Sequence, residues 1–389
     1  MIKRFITRYC AVRHKPVSSG EVKFIQQVKR FTYMIGAFSF VPQAPVMTQQ
    51  KITINDVAEA AGVSVTTVSL VLSGKGRISP ATAARVNQAI EQSGYVRNRT
   101  AAALRGGSSG VIGLIVRDLS QRFYAEMTAG LSEALEAQDK MLVLTQSGAQ
   151  GQHLTRCFES LVAQGVDGVV LGGDAGNGAA LASRAAELGL PLICASRASY
   201  LEGSDSLRPD NALGARMATE YLIRQGHQHI AWLGGSGASL TRAERIGGYC
   251  ATLLQYGLPF KPEWIIECDE SQQAAAEATT RLLQRFPRLT AIIASNAATA
   301  LGSYFALLRS GRTLGKGAVD SYYAQQTALV GFSDELQANL SDPPLTFICS
   351  PAREMGRAAA ARMLLRLSAP ETASQHMIIT PTLIAGDGP

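Results

Sequence analysis

Short apolar segments that alternate with helical stretches are the feature that most constrains how this chain can fold. Seven of them follow residue 110, at 111–116, 141–144, 168–171, 192–195, 230–233, 291–294 and 328–331. Strands that are apolar throughout and separated by helices are typical of parallel sheets buried on both faces. Because the pattern restarts after residue 210, it predicts two similar α/β lobes, each built on a parallel sheet.

Residues 52–72, which precede the lobes, have the pattern of two helices separated by one glycine. Apolar side chains recur at 54, 57, 58 and 61, which is the spacing of an amphipathic helix. Thr53 or Asn55 can cap this helix, and Gly62 can supply the left-handed backbone of a sharp turn. Ser64 can cap a second helix that runs through Leu72. This arrangement predicts a helix-turn-helix, whose second helix enters the major groove of DNA.

A third helix completes a minimal helical core. Ser79 is its expected cap, Pro80 occupies its first helical position, and Gly94 ends it. The helix-glycine-helix pattern alone is a weak signal, because any small helical bundle can contain it. The sequence motifs of the segment are therefore needed to decide.

Those motifs match a known family. The chain reads Asp-Val-Ala-Glu-Ala-Ala-Gly-Val-Ser at 56–64, Thr-Val-Ser at 67–69, Arg-Ile-Ser at 77–79, Gly-Tyr at 94–95, then Asn98-Arg99 and Ala101-x-x-Leu104. This segment resembles the headpiece of the lactose/galactose repressor family. The resemblance implies a DNA-binding domain at 47–97 and a hinge helix at 98–107.

The resemblance also assigns expected DNA contacts. Family members read base edges with the start of the second helix, which implies readout by Val65, Thr66 and Leu70. Val65 can contact a thymine methyl group, and Thr66 can hydrogen-bond to a base edge. Because many members carry arginine where this chain has Leu70, we expect its operator to differ from theirs at that base. The expected backbone contacts are Thr67, Ser69, Ser73, Lys75, Arg77, Asn98 and Arg99.

The hinge segment contains the expected minor-groove contacts, Ala101 and Leu104. By resemblance, Leu104 wedges between base pairs at the operator centre, where an apolar side chain kinks DNA. The alternative is a plain linker with a buried leucine. Residues 106–110, Gly-Gly-Ser-Ser-Gly, are expected to be a flexible linker.

The part of the chain after residue 108 resembles the periplasmic-binding-protein-like core of the same family. Its markers are Asp118, Val166-Asp167-Gly168, Ser196-Arg197, Asp210-Asn211, Gly226-His227, Arg245-x-x-Gly248-Tyr249, Asn296 and Gly331-Phe332. The implied fold is a small all-α helix-turn-helix headpiece plus an α/β core, 108–389, of two parallel-sheet lobes. Lobe one is expected at about 111–209 and 350–377, and lobe two at about 210–349 and 378–386.

In this fold a ligand binds between the lobes, at the carboxyl ends of the strands. The resemblance implies effector contacts from Asp118, Phe123, Ser196, Trp232, Arg245, Asn296 and Ser333. Three positions depart from the pattern of sugar-binding relatives, which have aspartate in place of Ser196, Ala297 and Ser333. The loss of three carboxylate acceptors argues against an ordinary free sugar, and Asp334 is expected to face away.

Several of these residues have a structural alternative. Asp118 and Asn296 can cap helices, and Trp232 can belong to the core. His227 and His229 are expected to pack or to lie at the surface rather than to bind a metal ion. The six cysteines lie far apart, which predicts reduced thiols and no zinc site.

Charge is distributed unevenly along the chain. Residues 1–46 carry a net charge of +7, residues 47–107 carry +4, and the rest carries −4. Pattern and capping begin only after Met47, so 1–46 is expected to be a non-native or disordered leader, with a basic arm touching DNA as the alternative. The apolar run at 31–41 is too short to cross a bilayer, which needs about 20 residues.

Two other classes of protein, an enzyme and a transport binding protein, fit the sequence less well than a DNA-binding regulator does. An enzyme is disfavoured because the glycine-rich turns spell neither G-x-G-x-x-G nor a P-loop, and no G-x-S-x-G or H-E-x-x-H occurs. A transport binding protein would not need residues 51–107. The sequence therefore predicts a cytoplasmic homodimeric repressor without cofactor or metal, whose partners are operator DNA and a sugar-like effector.

The hinge assignment can be tested by Leu104→Ala. The substitution removes the expected wedge, so operator affinity should fall while non-specific DNA binding is retained. Titration of a fluorescent operator and of an unrelated duplex measures both. Unchanged operator affinity would refute the wedge.

Overall fold

The structure, a computed structural model, describes residues 52–74, 76–96, 108–148, 150–173, 178–198, 203–315, 325–334 and 345–386. The chain divides into two compact units, 1–97 and 98–389. The predicted leader at 1–46 and the predicted hinge helix at 98–107 lie outside the described residues.

The described part of the first unit contains three helices at the predicted places. They are α1 (Ile54–Ala61), α2 (Val65–Ser73) and α3 (Pro80–Ser93). Their caps are the predicted ones, because Thr53, Ser64 and Ser79 begin the helices and a left-handed glycine ends each of them. Val57, Val68 and Val86 are fully buried and form the centre of the small core between the helices.

Lobe one of the second unit is built on six strands. Its elements are β1 (Val111–Val116), α4 (Arg122–Glu136), β2 (Met141–Gln146), α5 (Leu154–Ala163), β3 (Gly168–Leu171), α6 (Gly178–Glu187), β4 (Leu192–Ala195), β5 (Asp205–Pro209), α11 (Ala352–Ser368) and β12 (His376–Ile379). The strands pair in parallel in the order β2-β1-β3-β4-β5-β12.

Lobe two repeats this plan. It contains α7 (Asn211–Arg224), β6 (Ile230–Leu233), α8 (Leu240–Gln255), a 3₁₀ turn (Pro262–Trp264), β7 (Ile265–Ile266), α9 (Gln272–Arg285), β8 (Ala291–Ala294), α10 (Ala297–Arg309), β9 (Thr313–Leu314), β10 (Gln326–Ser333), β11 (Thr346–Cys349) and β13 (Thr382–Ile384). Its main order is β7-β6-β8-β10-β11-β13, in which only β13 is antiparallel among the described strands.

Both sheets reverse direction of winding at the same place, beside their first strand. In lobe one the reversal lies between β1 and β3, and in lobe two it lies between β6 and β8. Loops diverge at such a point, so the carboxyl ends of these strands form a crevice where ligands bind in doubly wound folds. The predicted fold class, a helical headpiece plus a core of two parallel-sheet lobes, is confirmed.

The chain passes between the lobes three times. It leaves lobe one after β5, returns after β11 and leaves again after β12. At the third passage β12 extends through Ile379, two residues beyond the expected boundary at 377. The lobes are therefore joined by three short segments.

Glycines allow the helices that cover the sheets to approach each other closely. A Cβ added at Gly130 on α4 would lie 2.0 Å from the Arg353 carbonyl oxygen of α11. In lobe two, a Cβ at Gly248 on α8 would lie 2.2 Å from the Ala212 carbonyl oxygen of α7. Real Cβ atoms do not come this near to backbone, so both helix pairs need glycine at these contacts.

The start of the core is held by Asp167, which ends the loop before β3. Its carboxylate accepts hydrogen bonds from the Ser109 amide at 2.7 Å and the Gly110 amide at 2.9 Å. Although burial acts in the opposite direction, hydrogen bonds from Ser108, Ser109 and Gly110 together hold the pKa of Asp167 below its usual value. The carboxylate thus fixes the backbone immediately after the predicted hinge.

No helix in the described part of the chain is both long and apolar enough to cross a membrane. The cysteines in that part, Cys157, Cys194, Cys250, Cys268 and Cys349, are all free thiols.

The close contact between α7 and α8 can be tested with two neighbouring glycines. Gly248→Ala should destabilise lobe two by about 1–3 kcal/mol, because the new methyl group displaces backbone. Gly247→Ala is the control, because a Cβ there meets no atom within 4 Å; it should be neutral or stabilise by up to about 1 kcal/mol.

Urea unfolding followed by tryptophan fluorescence measures both variants. Trp232 and Trp264, the two tryptophans of the chain, lie in lobe two and therefore report on it. Equal stability of the two variants would contradict the close contact.

Candidate functional site

The start of α2 is fixed by its cap. Ser64 accepts a hydrogen bond from the Thr67 amide at 3.2 Å, and the two hydroxyl oxygens lie 2.9 Å apart. Gly62, with a φ of 63°, lets the chain turn sharply between α1 and α2. These local interactions set the direction in which α2 leaves the turn, so they position the side chains of its first turn.

The predicted base-reading residues differ in exposure. Thr66 is exposed, whereas Val65 is half-buried and packs against the helical core. Leu70 is also half-buried, and a Cβ added at Gly76 would meet its side chain at 3.4 Å. Helical spacing places Thr66, Ser69 and Leu70 on one side of α2. Thr66 and Ser69 thus form the most accessible polar part of that side.

The predicted DNA-backbone residues are only partly described. Ser69 and Arg77 are exposed, while the Thr67 hydroxyl is engaged by the cap of α2. Only the backbone of Ser73 is described. The predicted contacts that lie outside the described residues are Lys75, Asn98, Arg99, Ala101 and Leu104. Their assignments remain predictions.

In the second unit, two neighbouring cavities open at the carboxyl ends of strands from both lobes. The larger one has a volume of about 540 Å³ and the smaller one about 440 Å³. Both are lined by Gln121, Arg197, Arg245, Glu270 and Ser295. The side chains of Arg197, from lobe one, and Arg245, from lobe two, therefore stand in the wall that the two cavities share. The two cavities together are called the cleft below.

Arg245 is the most strongly held of the predicted effector residues. It is 9% exposed, donates to the Asn211 side-chain oxygen at 3.2 Å and donates to the Ser295 carbonyl oxygen at 2.9 Å. Its guanidinium carbon lies 3.8 Å from the centre of the Phe332 ring. Burial, reinforced by the nearby positive charge of Arg197, lowers the pKa of Arg245 to about 9.

Three other predicted effector residues line the smaller cavity. They are Phe123, Asn296 and Ser333. The Asn296 side chain also caps α10, since it accepts a hydrogen bond from the Thr299 amide at 2.7 Å. Phe123 lies beneath the Arg197 guanidinium, whose carbon is 4.9 Å from the ring centre. Asn296 thus caps a helix, which was its structural alternative, and also lies in the cleft, where an effector contact was predicted.

The remaining predicted effector residues are less accessible. Trp232 borders the larger cavity but is fully buried, and its indole N–H donates to the Gly234 carbonyl oxygen at 3.3 Å. Ser196 is buried at the end of β4 and lines neither cavity. Asp118 lines neither cavity and accepts from the Ser120 amide at 2.9 Å, a hydrogen bond that lowers the pKa of Asp118.

The orientation of Asp334 differs from the expected one. It lines the smaller cavity and forms an ion pair with Arg122, whose Nε lies 2.9 Å from the carboxylate. The expectation that Asp334 faces away was wrong, because the residue follows β10 directly and its side chain turns toward α4 of the other lobe. The ion pair therefore connects the two lobes across the cleft.

Five basic or amide side chains line the cleft that were not among the predicted effector residues: Arg117, Gln121, Arg122, Arg197 and Arg242. Their only sequence signal is a position one or a few residues past a strand, or in the first turns of a helix, where side chains reach a crevice. Arg197 belongs to the Ser196-Arg197 marker, of which the family resemblance implied an effector contact only for the serine.

The described histidines give no sign of a metal site. His227 is buried with its Nδ1 2.9 Å from the Thr290 hydroxyl, and the His229 ring lies 5.6 Å from the Trp264 ring. Among the described residues, no group of three or more His, Cys, Asp or Glu side chains could hold a metal ion.

Comparison with known families finds two matches in this chain. Residues 53–98 match bacterial regulatory proteins of the lacI family. Residues 109–386 match periplasmic binding proteins and the sugar binding domain of the LacI family. One match lies at the helical part of the first unit, and the other spans most of the second unit.

Individual relatives agree with these families. The maltose regulon regulatory protein MalI of Escherichia coli K12 is 56% identical over 338 residues, which is 87% of this chain and 99% of that protein. The lac repressor dimer bound to operator and the anti-inducer ONPF has a TM-score of 0.72 at 25% identity, covering 87% of this chain and 98% of that one. The CelR–cellobiose complex has a TM-score of 0.61 at 29% identity, covering 86% and 99%.

Two substitutions separate positioning from readout in α2. Ser64→Ala removes the cap and should destabilise α2 by about 1 kcal/mol. Thr66→Ala leaves the cap in place and should preserve helix stability while weakening specific DNA binding by about 1 kcal/mol, roughly fivefold.

Amide hydrogen exchange of α2 in the full chain measures the first effect, and titration with specific and unrelated duplexes measures the second. The assignment of Thr66 to readout fails if Thr66→Ala binds specific DNA as tightly as the wild type does.

Proposed function

The chain belongs to the LacI family of bacterial regulatory proteins, and on that basis we propose that it represses genes of maltose-type carbohydrate uptake or metabolism. It is a DNA-binding transcriptional repressor rather than an enzyme, as its relatives are regulators. In our proposal a small carbohydrate or carbohydrate derivative binds in the cleft and controls the affinity of the protein for operator DNA.

One observation carries the proposal furthest. The chain aligns with 99% of the length of a maltose regulon regulator at 56% identity. The alignment is supported by physical detail, because the helix-turn-helix has its three caps and the core has a cleft of suitable volume for a small ligand. The CelR structure holds cellobiose and the lac repressor structure holds operator DNA, which are the two kinds of partner that we propose.

On DNA, the protein acts as a homodimer on a palindromic operator. Two copies of α2 would enter successive major grooves about one helical turn, roughly 34–36 Å, apart. Within each half-site Thr66 and Ser69 are the accessible polar groups of α2, and Arg77 contacts phosphate. Because a bacterial regulator meets its operator DNA in the cytoplasm, we place the protein there.

We propose that the ligand controls operator binding by moving the two lobes relative to each other. The three passages between them can act as hinges, and the Arg122–Asp334 ion pair bridges the opening of the cleft. A ligand that favours one lobe arrangement changes operator affinity through the segment that Asp167 anchors. Coupling of this kind is typically about 1–3 kcal/mol.

A footprint tests the proposed function. Purified full-length protein is incubated with DNA from upstream of its own gene and of neighbouring genes, then treated with nuclease. We expect protection of a palindrome at protein concentrations that leave unrelated DNA unprotected, with steep dependence on salt because lysine and arginine displace counterions from phosphate.

A core fragment, residues 108–389, is the matched control. Provided that its circular dichroism shows a folded α/β protein, it should fail to protect the palindrome. Equal protection by the fragment, or no protected site with the full chain, would overturn the proposal. A transport binding protein would bind ligand with either version and protect DNA with neither.

A further inference from the structure

Two arginines in the wall that the cavities share, Arg197 and Arg245, form no ion pair with a carboxylate among the described residues. The hydrogen bonds of Arg245 go to neutral oxygens of Asn211 and Ser295, and its flat face lies against Phe332. Arg197 is near enough for its charge to act on Arg245. Arg245 is buried and Arg197 is half-buried, and two like charges that are partly withdrawn from water destabilise the site unless an opposite charge joins them.

Arg197 also has unused hydrogen-bonding capacity. Its Nε atom is buried and has no hydrogen-bond acceptor in the described part of the protein. Its guanidinium is held by aromatic rings instead, 4.9 Å from the centre of Phe123 and 5.8 Å from that of Tyr124. A buried donor without an acceptor is unfavourable, and Arg197 lines both cavities, so an anion bound there can compensate its guanidinium.

The carboxylates near this pair are engaged elsewhere or exposed. Glu244 pairs with Arg208 at 2.6 Å and accepts from the Asn211 amide at 2.8 Å. Asp334 pairs with Arg122. Glu270 faces both cavities and offsets part of the charge, but it is exposed, and the pKa of Arg245 stays lowered to about 9 despite it. The shared wall of the cleft is therefore electropositive.

The larger cavity is also lined by two carboxylates, Glu267 and Asp269. They line it together with Arg242 and with the hydroxyl groups of Ser236 and Thr241. Carboxylates accept hydrogen bonds from sugar hydroxyls but repel an anion. A ligand that suits both the arginine pair and these carboxylates carries a negative charge at one end and hydroxyl groups at the other.

We propose that the effector is an anionic carbohydrate whose phosphate or carboxylate group binds between Arg197 and Arg245, with its hydroxyl groups directed toward Glu267 and Asp269. This rests on the proposed function, in which the cleft is the effector site. The planar guanidinium groups suit such an anion, because each can donate two parallel hydrogen bonds to it. Phosphate esters and sugar acids share this chemistry.

Calorimetry on the full-length protein tests the proposal with five probes. Glucose 6-phosphate represents phosphate esters and gluconate represents sugar acids. Glucose and maltose are neutral comparisons, and inorganic phosphate tests the anion without the sugar. We expect at least one of the two sugar anions to bind about tenfold or more tightly than either neutral sugar and than inorganic phosphate, and the stronger of the two identifies the anionic group.

Substitutions locate the binding. Arg197→Gln should lower the affinity for the preferred sugar anion by about tenfold to a hundredfold, because a hydrogen bond to a charged group is lost. Arg197→Lys keeps the positive charge but not the paired N–H donors of the guanidinium, so it should lose less affinity than Arg197→Gln does. Arg224→Gln is the matched control, because Arg224 lies on the outer part of α7 with its side chain 76% exposed; it should change the affinity less than about twofold.

The outcomes separate this proposal from the proposed function. If the protein protects an operator but binds only neutral sugars, binds neither sugar anion, or binds inorganic phosphate as tightly as a sugar anion, the anionic-carbohydrate proposal is overturned. Equal loss of affinity in Arg197→Gln and Arg224→Gln overturns it as well. Failure to protect any operator overturns the proposed function, whatever the calorimetry shows.

Discussion

The buried guanidinium of Arg245 is the interaction on which the cleft depends. Extended from α8, it is bound at once by the start of α7 through Asn211, by the end of β8 through Ser295 and by β10 through Phe332. These three elements meet at the carboxyl edge of the sheet of lobe two. Although burial lowers the pKa of Arg245 to about 9, the side chain is still charged at neutral pH. The geometry of lobe two is thus organised around a cation that faces lobe one.

The parts of the fold that local sequence determines are the parts that the sequence predicts well. The strands β1, β3, β4, β6 and β8 are continuous apolar runs, and their observed bounds equal the predicted ones. The helix caps of the headpiece are also local, because each cap joins residues three positions apart. Amphipathic spacing and capping chemistry therefore suffice for these elements.

Elements that depend on distant partners were missed. Strand β5 reads Asp-Ser-Leu-Arg-Pro and looks like a loop, yet Asp205 is buried because Arg362 and Arg366 of α11 donate to it at 2.7 and 2.6 Å. Those partners lie more than 150 residues away in the chain. No local sequence pattern predicts such an ion pair. The orientation of Asp334 was missed for the same reason, because its partner Arg122 belongs to the other lobe.

The candidate site was predictable only in part, as the fold was. Resemblance to the family placed Arg245, Phe123, Asn296 and Ser333 in positions that the structure brings to the cleft. It could not foresee that Ser196 and Asp118 would line neither cavity, since this depends on how side chains rotate at the strand ends. Nor could it foresee the role of Arg197, whose significance appears only when the lobes place it beside a second arginine.

In the function that we propose, ligand binding in the cleft and operator binding at the headpiece are coupled. The most direct test measures the affinity of the preferred ligand for the free protein and for the operator-bound protein, and the affinity of the operator with and without ligand. The ratio of the two ligand affinities and the ratio of the two operator affinities should both differ from one and should equal each other, because coupling between two binding sites is reciprocal. A ligand that binds in the cleft with the same affinity whether or not operator is bound would contradict it.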